Sequence, residues 1–228
     1  MPDIPKVRRE LGVPATRKFA DGTDFFTLPI LSDPTTGSTL GDSFDIAVYL
    51  QKNYPNSGAG DLLPPQKLDY VYTPDTPSLI PLSERNEQGY GDYARFNVNI
   101  DAVFTAHVPL MGYFLPFPPE SAEASRAIFI QRAGGGSWDD FKVSGVAREE
   151  MMRSFHDALG ELSKLFTSDK SGPFLLGEKA SYADFIVGGW VKMASRTLPE
   201  AEWQEMRAWH GGTFGRLYDA LEKYAQVD

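Results

Sequence analysis

Six prolines fall between residues 55 and 81 (Pro55, Pro64, Pro65, Pro74, Pro77 and Pro81), in a stretch otherwise rich in glycine, serine and aspartate. Proline has no backbone N–H and holds φ at about −65°, so it ends helices and stays out of central strands. No regular element can run through such a stretch, and the chain divides there. We expect a first unit over residues 1–57, a linker with irregular structure over 58–85, and a second unit over 86–228.

The first unit mixes helix and strand. Ile4, Val7 and Leu11 around Pro5 predict a short helix over 5–11, closed by Gly12. After a loop at Asp21 and Gly22, FFTLPILSD reads as a strand, and Pro29 inside it marks an edge or a special site. DPTTG is a turn and STLG resumes the extended chain, which makes a hairpin. GDSFDIAVYLQKNYP predicts a helix with an apolar stripe at Ile46, Ala47, Tyr49, Leu50 and Tyr54. Asp42 fits its N-cap, Asp45 stands three residues on, and Pro55 stops it.

Everything beyond the linker reads as helix. Tyr93, Phe96, Ile100, Phe104 and His107 recur at three- and four-residue steps. A shorter helix over 121–132 ends at three glycines, and Met151, Phe155, Leu159, Leu162, Leu165 and Phe166 mark a long amphipathic one. SYADFIVGGWVKMA is nearly all apolar after its first turn, which predicts a central helix buried all round. Two further helices are expected over 200–209 and 213–224.

Charge and composition exclude several roles. The net charge of −9 is the wrong sign for a phosphate-binding surface, and Lys6, Arg8 and Arg9 form the strongest basic cluster, so no nucleic acid partner is expected. The longest apolar-rich patch, HVPLMGYFLPFPP, is broken by prolines and falls short of the roughly 20 residues a membrane helix needs. The chain has no cysteine, which removes disulfides, thiolate zinc sites and a cysteine nucleophile. MPDIPKVRRE is not a signal sequence, so a cytoplasmic address is the default expectation. His107, His156 and His210 are scattered, and no metal is assigned. Arg148, Glu149 and Glu150 read as a solvated first turn. Phe104, Tyr113, Phe114, Phe117, Trp209 and Phe214 read mainly as core, some of them open to lining an apolar pocket that faces the hairpin.

Two short motifs carry chemistry. In Thr27-Leu28-Pro29 the proline removes a ladder donor. If the Leu28–Pro29 bond is cis, the amide and carbonyl of Leu28 turn outward and can pair with an extended peptide. If it is trans, as in all but about 5–6% of X–Pro bonds, Pro29 only marks an edge. Asp42 and Ser43 head a helix whose free amides and dipole attract an anion. A carboxylate can bind the Ser43 amide and hydroxyl while Asp42 accepts from an ammonium group, a pairing that suits an α-amino-acid head group; the plainer alternative is that Asp42 only caps the helix. A hairpin joins the two motifs, so one ligand can span both. Ser181-Tyr182-Ala183-Asp184 is a capping box, with Ser181 and Asp184 in a structural role worth about 1 kcal/mol or somewhat more.

TLPIL, a turn, GDSFDIAVYL, a linker carrying LLPP, and a helical region containing GEKASYADFIV together resemble a cytosolic glutathione transferase from residue 2 to the end. The tail WHGGTFGRLYDALEKY is similar to the fungal branch related to etherase-type enzymes. The resemblance implies an α/β plus all-α fold: a thioredoxin-like N-terminal domain, here incomplete, followed by a helical domain of the glutathione-transferase type. It implies that Leu28 and Pro29 hold the cysteinyl part of glutathione and that Asp42 and Ser43 hold its γ-glutamyl end. It further implies glutathione as co-substrate without a metal, an apolar or aromatic second substrate bound between the domains, and a homodimer.

The sequence departs from that pattern at its start. In the family a strand–helix–strand unit of roughly 30 residues or more precedes the helix read here over 5–11. Its first turn carries the serine, tyrosine or cysteine that activates the thiol. No such unit is legible here, and nothing in the context of Thr27, Ser32 or Ser38 makes them substitutes. The expectation is an N-terminally shortened chain that keeps the binding motifs but turns over weakly or not at all. The alternative is a non-catalytic relative that carries ligands or joins a complex.

Overall fold

The computed structural model describes residues 2–19, 21–58, 60–74 and 89–225. Pro77, Pro81 and most of the far half of the expected linker lie outside the described residues. The chain begins with α1 (Ile4–Glu10), β1 (Arg17–Lys18), β2 (Asp24–Phe25), β3 (Ile30–Asp33), β4 (Ser38–Gly41) and α2 (Ser43–Asn53). It continues through α3 (Gly91–Ala106), α4 (Pro109–Gly112), α5 (Ala122–Ala133), α6 (Gly145–Leu165), α7 (Tyr182–Thr197) and α8 (Glu200–Leu221).

Among the described residues two antiparallel hairpins make up the sheet structure, β1 with β2 and β3 with β4. The second holds the register Ile30 opposite Gly41 and Asp33 opposite Ser38. The single strand expected from FFTLPILSD is in two pieces, because the chain leaves the ladder at Thr27–Pro29, where Pro29 has no N–H to offer. The strand β1 gave no sequence signal: Arg17 and Lys18 are two charged residues with no apolar alternation. The hairpin β3–β4 is clamped to α2 through Asp33. Its carboxylate accepts from the phenols of Tyr49 (2.7 Å) and Tyr54 (2.5 Å) and from the Thr35 amide (2.9 Å). These donors, the Tyr54 phenol first, hold the Asp33 carboxyl down at about 2.

The helical unit is built around α7, which packs against α3 and α8. Phe96, Ile100, Phe104, Phe155, Leu159, Val187, Val191 and Phe214 are all fully buried there, and Phe104 stacks on Trp190 at 5.4 Å. Burying side chains of this size contributes about 1.5–3 kcal/mol each. The first unit shares this core. Phe44 of α2 is fully buried with its ring 5.9 Å from that of Tyr182, and the Tyr182 amide donates to the Leu62 carbonyl at 2.7 Å. The N-terminus of α7 is sealed by Ser181 and Asp184, which form the reciprocal pair of a capping box. The fully buried Asp184 carboxylate accepts from the Leu175 amide (2.8 Å), the Ser181 amide (2.7 Å) and the Ser181 hydroxyl (2.9 Å).

Two expectations need correction. The helix α7 is central but open on one side: Gly189 and Arg196 are exposed and Lys192 is partly so. The glycine pair reads as apolar in sequence yet has no side chain to bury, and Lys192 and Arg196 continue that face. Arg148 is not solvated. It is partly buried and forms a two-pronged bond to Glu202 of α8 (2.6 and 2.5 Å) and a third to the Leu110 carbonyl (2.9 Å), tying α6 to α4 and α8. On α1 the apolar spacing does not mark the buried side, since Lys6, Arg9 and Glu10 are exposed together with its apolar residue Val7. Val7 and Leu11 face solvent, and Arg8 is the residue that helix buries. The break expected between the last two helices is present inside α8, where Trp209, His210, Gly211 and Gly212 leave helical geometry, the last three at positive φ.

Asp184→Ala strands two buried amides at about 1–3 kcal/mol each, so chemical denaturation should show a loss of about 3 kcal/mol, against about 1 kcal/mol for Ser181→Ala. Asp33 has its folded-state pKa depressed below its unfolded value. Its stabilisation is therefore full above about pH 4 and is lost as pH falls toward 2. Melting curves across that window should drop more steeply for the unsubstituted chain than for Asp33→Asn.

Candidate functional site

The Leu28–Pro29 bond is cis. Leu28 is 59% exposed, and among the described residues nothing pairs with its amide or its carbonyl. On the adjacent strand end, Asp42 sits at the N-cap of α2 with φ 81°, its carboxylate accepting from the Phe44 amide at 2.9 Å. Ser43, the first helical residue, is exposed. The pairing of Ile30 with Gly41 places the two motifs side by side, and the Asp42 amide reaches the Pro29 carbonyl at 3.4 Å. All four residues singled out in the sequence (Leu28, Pro29, Asp42 and Ser43) therefore converge at one end of the β3–β4 hairpin.

Arg8 stands beneath this end, and the sequence had shown it only as part of a basic cluster. Its fully buried guanidinium donates to the carbonyls of Thr27 (2.6 Å), Pro14 (2.5 Å) and Val13 (3.4 Å). Burial pushes the Arg8 pKa down and the Asp42 charge opposes that shift. The head group lies so close to Gly41 that a Cβ there would fall 2.5–2.8 Å from it.

The same corner meets the helical unit. Asp101 of α3 accepts from Arg17 (3.2 Å) and from the Trp190 indole (2.9 Å). Burial raises its carboxyl pKa, Arg17 opposes the rise, and the charge of Asp42 adds to it. The cap of α2 thus lies near the seam between the two units.

The aromatic residues divide into two sets. Phe104, Trp209 and Phe214 are core, whereas Tyr113, Phe114 and Phe117 belong to a partly exposed cluster with Phe129, Trp138 and Phe141. Arg132 of α5 lies over the Phe25 ring at 5.1 Å, which places this lobe beside β2, three residues from Leu28. A separate groove of about 450 Å³ between α6 and α8, lined by Arg148, Met152, His156 and Glu205 among others, shares no residue with the corner. His107 is buried between the Val103 carbonyl (2.7 Å) and the Ser154 hydroxyl (3.1 Å), and burial pushes its pKa down. Among the described residues no three His, Cys, Asp or Glu side chains group as a metal site, and no helix is long and apolar enough to cross a membrane.

Residues 100–224 match the family described as glutathione S-transferase, C-terminal domain. The chain is 24% identical over 239 residues to the glutathione S-transferase-like protein ustS of Aspergillus flavus, which covers 99% of this chain and 76% of that protein. A glutathione S-transferase of Ceriporiopsis subvermispora, solved in complex with glutathione, superposes with a TM-score of 0.78 at 29% identity, over 100% of this chain and 82% of its own. A second transferase of that fungus, also in complex with glutathione, gives 0.71 at 24% identity over 98% and 82%. A glutathione transferase from Phanerochaete chrysosporium gives 0.70 at 22% identity over 100% and 82%. The fold class is shared with these structures, a thioredoxin-like first unit followed by a helical one.

Proposed function

Since the chain belongs to the glutathione S-transferase family, we propose that it binds glutathione across Leu28–Pro29 and the cap of α2, and that transfer to small electrophilic or aromatic compounds follows where a group outside these residues activates the thiol. The observation that carries this reading is the Asp42 amide bonded to the Pro29 carbonyl, which sets the two motifs side by side. In this reading the Leu28 amide and carbonyl pair with the main chain of the cysteinyl residue, as an added strand would. The Ser43 amide and hydroxyl donate to the γ-glutamyl α-carboxylate at the positive end of α2. Asp42, held by the Phe44 amide, supplies the negative charge for the α-ammonium group. These four residues hold the tripeptide; none of them activates its thiol.

In the transfer, the thiolate electron pair forms the sulfur–carbon bond, the bond from that carbon to the leaving group breaks and its electron pair departs with the leaving group, and the thiol proton passes to solvent. The partly exposed rings of Tyr113, Phe117 and Trp138 beside β2 support an aromatic second substrate. The peptide is then held by the first unit, residues 1–57, and the electrophile by the second, residues 86–228, across the linker at 58–85. A homodimer is the assembly this reading takes.

Calorimetry with glutathione on the full chain tests the proposal. Removing a hydrogen bond to a charged group costs about 1.5–3 kcal/mol, so Ser43→Ala should weaken binding roughly tenfold or more while leaving the melting temperature unchanged. Unaltered affinity in that variant, or no heat at all with glutathione, removes the site. A chlorodinitrobenzene conjugation assay then separates the two roles: product formation marks a transferase, and binding without product marks a protein that only holds the ligand.

A further inference from the structure

We propose that Arg8 is a positioning residue for glutathione, orienting the Leu28 amide and strengthening it as a hydrogen-bond donor through the Thr27 carbonyl; the ligand half of this proposal rests on the reading above. The Thr27 carbonyl and the Leu28 N–H are opposite ends of one planar peptide group. Arg8 donates from Nη1 to that carbonyl at 2.6 Å, a charge-assisted bond on a carbonyl of a partly buried turn. A hydrogen bond at one end of an amide polarises the other end, by something like 10–30% in bond strength. The far end here is the Leu28 N–H, which has no acceptor among the described residues.

The other side of the guanidinium closes the arrangement. It fills the space a Cβ at Gly41 would take, and it carries its charge beside Asp42. One cation therefore touches the backbone on both sides of the proposed ligand: the peptide before Leu28 and the glycine before the cap. Its bonds to Val13 and Pro14 fix the loop after α1, so Arg8 has a structural duty as well. The test has to separate the two.

Two ligands and one spectroscopic probe do so. γ-Glutamylmethylamide carries the amino-acid head group and lacks the cysteinyl main chain, so it reads only the Asp42–Ser43 end. In Arg8→Lys, loss of the polarising bond should lower glutathione affinity roughly five- to tenfold, leave the γ-glutamylmethylamide affinity within about twofold, and move the Leu28 amide 15N resonance. A purely structural role would weaken both ligands alike. Equal losses, no loss, or an unmoved Leu28 resonance each overturn the proposal. If Arg8→Lys does not fold, Arg8→Gln carries the same test, because its neutral amide fills part of the same space and can donate to the Thr27 carbonyl without the charge. If the unsubstituted chain binds no glutathione, the ligand half falls with the preceding section. The Leu28 resonance still decides whether Arg8 governs that amide.

Discussion

A guanidinium taken fully out of water needs oxygen acceptors around it, and the corner that holds Arg8 is built to provide them. The loop after α1 and the turn before β3 supply carbonyls, and the end of β4 supplies a residue with no side chain. Two-stranded hairpins are marginal by themselves, and neither hairpin here has an apolar face large enough to order it. Directed polar bonds do that work, at Arg8 on one end of β3–β4 and at Asp33 on the other. The apolar contribution comes from outside the sheets, through Phe44 and Ala47 of α2, which are buried in the core of the helical unit.

Two aspartates at helix N-termini show how the same chemistry can be shut or left open. At α7 the carboxylate of Asp184 accepts from three donors, and its helix start is fully enclosed. At α2, Asp42 accepts from the Phe44 amide and is itself buried, yet the next residue, Ser43, stands at the surface. The positive end of α7 is satisfied from within the fold. The positive end of α2 faces outward, next to a peptide edge at Leu28 that has no partner among the described residues. That contrast distinguishes a cap that only stabilises from one that can also receive a carboxylate.

Much of this was legible in the sequence because it is periodic or punctuated. The stripes of α2, α3 and α6, the capping box of α7, the glycine-rich break in α8 and the turn between β3 and β4 all follow from local spacing. The residues of the candidate corner were legible too, since Pro29 and the Asp42–Ser43 pair are unusual where they stand. What escaped was set by contacts distant in sequence. Arg8 bonds to Thr27 nineteen residues on, and Arg148 to Glu202 fifty-four residues on. No local pattern announces either: Arg8 read only as part of a basic cluster, and the spacing of Ile4, Val7 and Leu11 gave a helix without saying which side it buries. Backbone isomer is equally silent: the same three letters, Thr-Leu-Pro, serve a cis or a trans bond.

Gly41 draws a further line. Its backbone takes no left-handed angle, and the three atoms a side chain there would meet first all belong to the Arg8 head group. Positions 8 and 41 therefore form a locked pair. Alanine at 41 has to displace that head group, whereas a lineage that first loses the arginine is released from the crowding, so the order of substitution matters at these two sites.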